Sequence, residues 1–176
     1  MSGCGAPVDA DTPLELCTTH LLVAHDWVTR DSGVTDVLPS PCLLCGSRVG
    51  IRYPSGWLCA VCEWRFGDVP DAALGPPRVD VVYYLRFRSQ IKIGTSANPR
   101  GRFAALPYDE VLAFELGDRL VERRRHEQFA SFRIAGTEWF HAHDELTEHI
   151  ELLSQGVEDP WGLYHRWVAR RLAARD

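Results

Sequence analysis

The chain has 176 residues, 24 Asp plus Glu against 19 Lys plus Arg, and an apolar share of 45%. That suffices for one modest core with small satellites and excludes a large multidomain machine. No apolar run approaches the roughly 20 residues that cross a bilayer, and residues 1–11 lack the basic start of a signal peptide. The expectation is a soluble, cytoplasmic protein with no membrane partner.

Six cysteines in a reducing compartment favour metal thiolates over disulfides. Cys42 and Cys45 form one CxxC knuckle, and Cys59 and Cys62 a second, with a Gly- and Pro-containing hairpin between them. Each knuckle aims two sulfurs at one point, so the segment 42–62 reads as a ribbon around tetrahedral Zn²⁺. Four thiolates leave no place for a reacting water, which makes that zinc structural. Cys4, Cys17, His20 and His25, spaced C-x12-C-x2-H-x4-H, would make a second closed zinc site over 4–25. The alternative leaves both histidines on the surface of a helix over 18–30 and Cys4 in a frayed terminus.

The linker 67–77, rich in Pro, Gly, Asp and Ala, closes this module at residue 77. Residues 1–77 carry 4 basic and 9 acidic side chains, 78–142 carry 11 and 8, and 143–176 carry 4 and 7. The middle segment alone is positive, and phosphate binding follows local fields, so the acidic total does not exclude a nucleic-acid partner.

From residue 78 the pattern turns to strands. Val81, Tyr83, Leu85 and Phe87 alternate with Val82, Tyr84, Arg86 and Arg88, giving a first strand with one apolar face. A polar turn at 88–90 leads to a second strand, 91–94. Asn98-Pro99 is a capping side chain followed by a preset φ, so a helix over 99–106 follows, carrying Arg100 and Arg102 beside Phe103 and Leu106. A third strand spans 110–116, and a helix over 118–132 places Glu122, His126 and Phe129 on one stripe. Two helices end the chain, over 144–153 with Leu146, Ile150 and Leu153 inward, and over 159–174 with Trp161, Tyr164, Val168 and Leu172 inward. Arg166, Arg170, Arg171 and Arg175 take the remaining face and either grip a nucleic-acid backbone or simply face solvent. The fold class is α/β (α+β): a small three-stranded antiparallel sheet flanked by helices, preceded by a zinc-ribbon module and followed by C-terminal helices.

Over residues 80–141 the chain resembles the GIY-YIG nucleases, in their branch of phage T5orf172-like domains. Val81-Val82-Tyr83-Tyr84-Leu85 stands where that family has its GIY strand and Lys92-Ile93-Gly94 where it has YIG. Asn98-Pro99 with Arg102 resembles its first helix, and Glu122-x3-His126-x2-Phe129 its metal-binding helix. Gly136-Thr137-Glu138-Trp139-Phe140 is similar to the branch's closing GxEWF. Val81 replaces the first glycine, and Lys92 the tyrosine of YIG.

The resemblance implies a metal-dependent endonuclease acting on DNA. Phosphodiester hydrolysis needs a deprotonated nucleophile, charge neutralisation at the phosphorane oxygens and a stabilised leaving group. Glu122 is the candidate ligand for Mg²⁺ or Mn²⁺, and Tyr83 the general base or water-orienting group, helped by a neighbouring cation such as Lys92 or the metal because a free tyrosine titrates near about 10. Arg102 would hold the phosphate, and His126 would orient a metal-bound water or share the proton work. Arg100, Arg123, Arg166 and Arg170 are candidate nucleic-acid contacts. One active site cuts one strand per encounter, so double-strand cleavage would take a homodimer or two visits. Singly, each of these residues has a bland reading as a β-surface filler or a charged helix face. The alternative function is a catalytically inactive, zinc-dependent nucleic-acid-binding or partner-recruiting module.

Overall fold

A computed structural model describes residues 4–8, 13–71, 73 and 75–175. The chain divides into two units, Met1–Asp68 and Val69–Asp176. Residues 69–77, expected to close the N-terminal module, fall in the second unit, as do the C-terminal helices.

In the first unit, helix α1 (Thr18–Asp31) is followed by strands β1 (Val34–Val37), β2 (Val49–Tyr53) and β3 (Gly56–Cys59) in one antiparallel sheet of that order. The two CxxC knuckles have the same shape. In the first, the Gly46 amide donates to the Cys42 carbonyl (2.9 Å), and in the second the Glu63 amide donates to the Cys59 carbonyl (2.9 Å). The residue after each knuckle is left-handed, with φ of 77° at Gly46 and 62° at Glu63. Glycine adopts this without penalty, whereas glutamate does not.

The second unit holds β4 (Val81–Phe87), β5 (Gln90–Ser96), α2 (Pro99–Phe103), β6 (Glu110–Leu116) and α3 (Arg119–Gln128). A 3-10 turn (Ala130–Phe132), β7 (Trp139–His141), α4 (Asp144–Ser154) and α5 (Pro160–Ala173) complete it. The cap expected at Asn98 is present, and two aspartates cap later helices. Asn98 accepts from the Gly101 amide (3.1 Å), Asp118 from Leu120 (2.8 Å), and Asp159 from Trp161 and Gly162 (3.1 and 3.0 Å).

The sheet is antiparallel with order β6-β4-β5-β7. The three expected strands are joined by a fourth, since Trp139 and Phe140 pair with Lys92 and Ile91 at the edge of β5. β4 differs more from expectation, because it is buried on both faces. Val82 and Tyr84 pack with Ile91, Ile93, Phe129, Leu146 and Ile150 under α3 and α4. Val81, Tyr83 and Leu85 pack with Phe103, Phe114 and Trp161 under α2 and α5. Alternation with tyrosine and valine on both phases reads as one apolar face only until a second helical layer covers the other. The α3 helix ends earlier than its sequence period suggests, because Phe129 leaves helical backbone (φ −106°, ψ 21°) to fill the core.

Candidate active site and metal centres

Every first-choice catalytic residue lies at the β4/β5 hairpin or on the helices beside it. Tyr83 is 1% exposed and stands opposite Gly94 of β5. A Cβ at Gly94 would come within 2.4 Å of the Tyr83 hydroxyl, so only glycine lets the ring lie across that strand. Phe103 meets the ring edge-on, with centroids 5.0 Å apart. The hydroxyl accepts from Arg102 Nε at 3.5 Å, which brings α2 to β4. Burial pushes the Tyr83 hydroxyl above the usual phenol range, against the pull of Arg102, and the negative charges of Glu138 and Glu122 push the same way.

Lys92 is a second departure from expectation. It is 5% exposed, and its Nζ donates to Glu138 Oε2 at 2.5 Å, with the Trp139 ring 5.5 Å away. The cation bonded to the Tyr83 hydroxyl is Arg102, while Lys92 is bonded to Glu138. Glu138 has its carboxyl held below the usual range by Lys92. Sequence reasoning quoted Glu138 within a motif but gave it no role, although a lysine inside an apolar strand signals a carboxylate partner.

On α3, the Glu122 side chain is 16% exposed and its nearest ion-pair partner among the described residues is His126, 3.9 Å away. Burial pushes the Glu122 carboxyl up. A carboxylate so enclosed and so weakly paired has the donor capacity that a hard cation uses. His126 Nε2 lies 3.0 Å from the Ile93 carbonyl, which only accepts, so Nε2 is the donor in that contact.

Arg100 and Arg123, two of the four outlying arginines, have partners within the chain. Arg100 donates to His165 Nε2 (3.3 Å) and lies 4.7 Å over Trp161, tying α2 to α5. Arg123 pairs with Glu127 (3.0 Å) at the surface. Arg125, two residues beyond Arg123 on α3, turns inward: its Nε and Nη2 donate to Glu115 at 3.0 and 2.5 Å. Glu115 also accepts from the Tyr84 hydroxyl (2.9 Å), which lies 3.1 Å from His149 Nε2. Arg166 is half-buried on α5. Arg170 lines a cleft of about 590 Å³ with Arg78, Asp80, Asp118, Trp167 and Arg171.

In the first unit, the ligand atoms of Cys42, Cys45, Cys59 and Cys62 lie within 4.8 Å of one another, and all six cysteines are free thiols. The Cys42–Cys62 and Cys45–Cys59 sulfurs are 3.5 Å apart. Tetrahedral zinc with bonds of about 2.3 Å sets sulfurs about 3.8 Å apart, so the cluster fits a zinc site. Burial pushes the Cys45 thiol up to about 12 and Cys62 higher still. A second group joins Cys4, Cys17 and His20. His25 is not part of it: its Nδ1 is 3.5 Å from Asp26 and its Nε2 3.5 Å from Thr29. Five residues along a helix turn a side chain by about 140°, so His20 and His25 cannot face one ion.

Compared with protein-family models, with curated proteins and with solved structures, the chain has no match.

Proposed function

We propose that the chain is a metal-dependent endonuclease of the GIY-YIG type, hydrolysing phosphodiester bonds in DNA, with a structural zinc in its ribbon. The observation that carries this reading is the Tyr83 hydroxyl, held 3.5 Å from Arg102 in the shared field of Glu122 and Glu138. Arg102 would hold the scissile phosphate, and Tyr83 would orient or deprotonate the attacking water. Glu122 would hold Mg²⁺ or Mn²⁺, with waters and phosphate oxygens at the remaining positions. When bound, the ion supplies positive charge for the phosphorane oxygens and the leaving group. Lys92 and Arg102 are matched by Glu122 and Glu138, so the site is near neutral by itself and becomes cationic only when loaded. The same loading reverses the sign of the field from Glu122 that holds the Tyr83 proton on.

The inactive binding-module reading is favoured by one observation, the burial that raises Tyr83 above the phenol range. Incubation with supercoiled plasmid in Mg²⁺, Mn²⁺ or EDTA, beside Tyr83→Phe and Glu122→Ala, separates the two. The nuclease reading expects metal-dependent nicking that falls at least about 100-fold in both variants. No cutting by the wild type on plain, modified or branched DNA or on RNA would refute it.

A further inference from the structure

We infer that Cys4, Cys17 and His20 bind a second Zn²⁺-like ion, distinct from the ribbon's, through three protein ligands with a fourth, solvent-facing position open to an exchangeable ligand. The two metal clusters are built differently. In the ribbon, Cys42, Cys59 and Cys62 are buried and Cys45 half-buried, with four sulfurs enclosing one point. In the N-terminal cluster only Cys17 is buried, while Cys4 and His20 are exposed. Among the described residues, no further His, Cys, Asp or Glu ligand atom joins them.

The geometry suits a borderline-soft divalent ion. The Cys4 and Cys17 sulfurs are 3.7 Å apart, near the tetrahedral edge of about 3.8 Å and far beyond the roughly 2.05 Å of a disulfide. His20 turns Nδ1 to the Cys17 sulfur at 3.2 Å, leaving Nε2 on the outer side of the ring. Cys17 is the cap of α1 and His20 its third residue, so the first helical turn presents this pair as one clip. Thiolate and imidazole in this number leave a fourth tetrahedral place, as in zinc sites that keep a bound water.

The site also has a structural consequence. No residue of α1 is buried, and Leu22, Val23 and Trp27 are more than half exposed. Apolar packing therefore contributes little to holding this helix, and a metal clip at its first turn supplies an anchor that packing does not.

The test uses the full chain, purified under reducing conditions and loaded with Co²⁺, beside Cys17→Ser, Cys4→Ser and His25→Ala. The proposal expects two metal ions per chain in wild type and in His25→Ala, and one in Cys17→Ser. It expects the visible cobalt band of the wild type to shift on adding imidazole, and that shift to vanish in Cys17→Ser and Cys4→Ser. Helical circular dichroism should fall in Cys17→Ser while the ribbon keeps its ion, a readout that involves no nuclease activity. Cys4→Ser, at an exposed position, keeps the test valid if Cys17→Ser folds poorly. One metal ion per chain in wild type, loss of an ion in His25→Ala, or a band indifferent to imidazole would overturn the proposal.

Discussion

Replacing Arg125 by leucine should destabilise the second unit by about 3 kcal/mol. The guanidinium makes two hydrogen bonds to Glu115 and one to Gln128 (2.8 Å), with Arg125 26% and Glu115 14% exposed. Without it, Glu115 keeps the Tyr84 hydroxyl as its one donor among the described residues. Breaking a buried ion pair by removing one partner costs about 3–5 kcal/mol, and the partial exposure of Arg125 argues for the lower end. The double variant Arg125→Leu with Glu115→Leu should recover at least half of the loss, because Tyr84 and His149 can still satisfy each other.

The acid limb follows from the same pair. Burial pushes the Glu115 carboxyl up, but hydrogen bonds from Arg125 and Tyr84 outweigh it and hold the group below its usual range. Its contribution is thus complete above the unfolded value near about 4.3 and is lost as pH falls through the lower folded value. The double variant should lack this component of acid destabilisation. Hydrogen exchange of the β4 and β5 amides reads the stability of this unit without interference from the other. A loss below about 1 kcal/mol in Arg125→Leu, or a double variant no better than the single one, would refute the reasoning. Arg125 stands three residues beyond Glu122 on α3, so under the nuclease reading Arg125→Leu should also lower nicking.

Gly94→Ala should destabilise the same unit by about 1–3 kcal/mol through overpacking, since its Cβ would meet the Tyr83 ring carbon at 2.6 Å. Hydrogen exchange measures that loss, and plasmid nicking should fall with it as in Tyr83→Phe. Glu63→Gly should stabilise the metal-loaded first unit by up to about 1 kcal/mol, because φ of 62° is strained for glutamate. A rise in the chelator concentration needed to unfold the ribbon would register the gain, and an unchanged or lower value would refute it. Zinc binding at the ribbon should release protons, because burial keeps Cys45 and Cys62 protonated across the neutral range. Affinity should therefore weaken from pH 8 to pH 6, as competition with a chromogenic chelator would show, and a pH-independent affinity would contradict the burial argument.

What the sequence revealed and what it concealed divide along the range of the interactions involved. Asn98-Pro99, Asp118 and Asp159-Pro160 announce helix starts because a cap acts within three residues, and those starts are where the structure has them. The ribbon thiols were legible for the same reason, each pair being local. His25 misled because the C-x2-H-x4-H spacing carries no helical phase, whereas the helix Thr18–Asp31, foreseen only as the alternative, sets His20 and His25 on diverging faces. Arg123, Arg124 and Arg125 are alike in sequence, yet successive residues on a helix point about 100° apart, so one phase alone can reach Glu115. Glu138 was hidden by distance, since its partner Lys92 lies 46 residues away and meets it only when β7 zips onto β5. That three-residue strand was itself illegible, being too short to show a period. The candidate site thus depends most on the part of the fold least visible in the sequence: β7 brings Glu138 to Lys92, and Arg102 is the cation bonded to the Tyr83 hydroxyl.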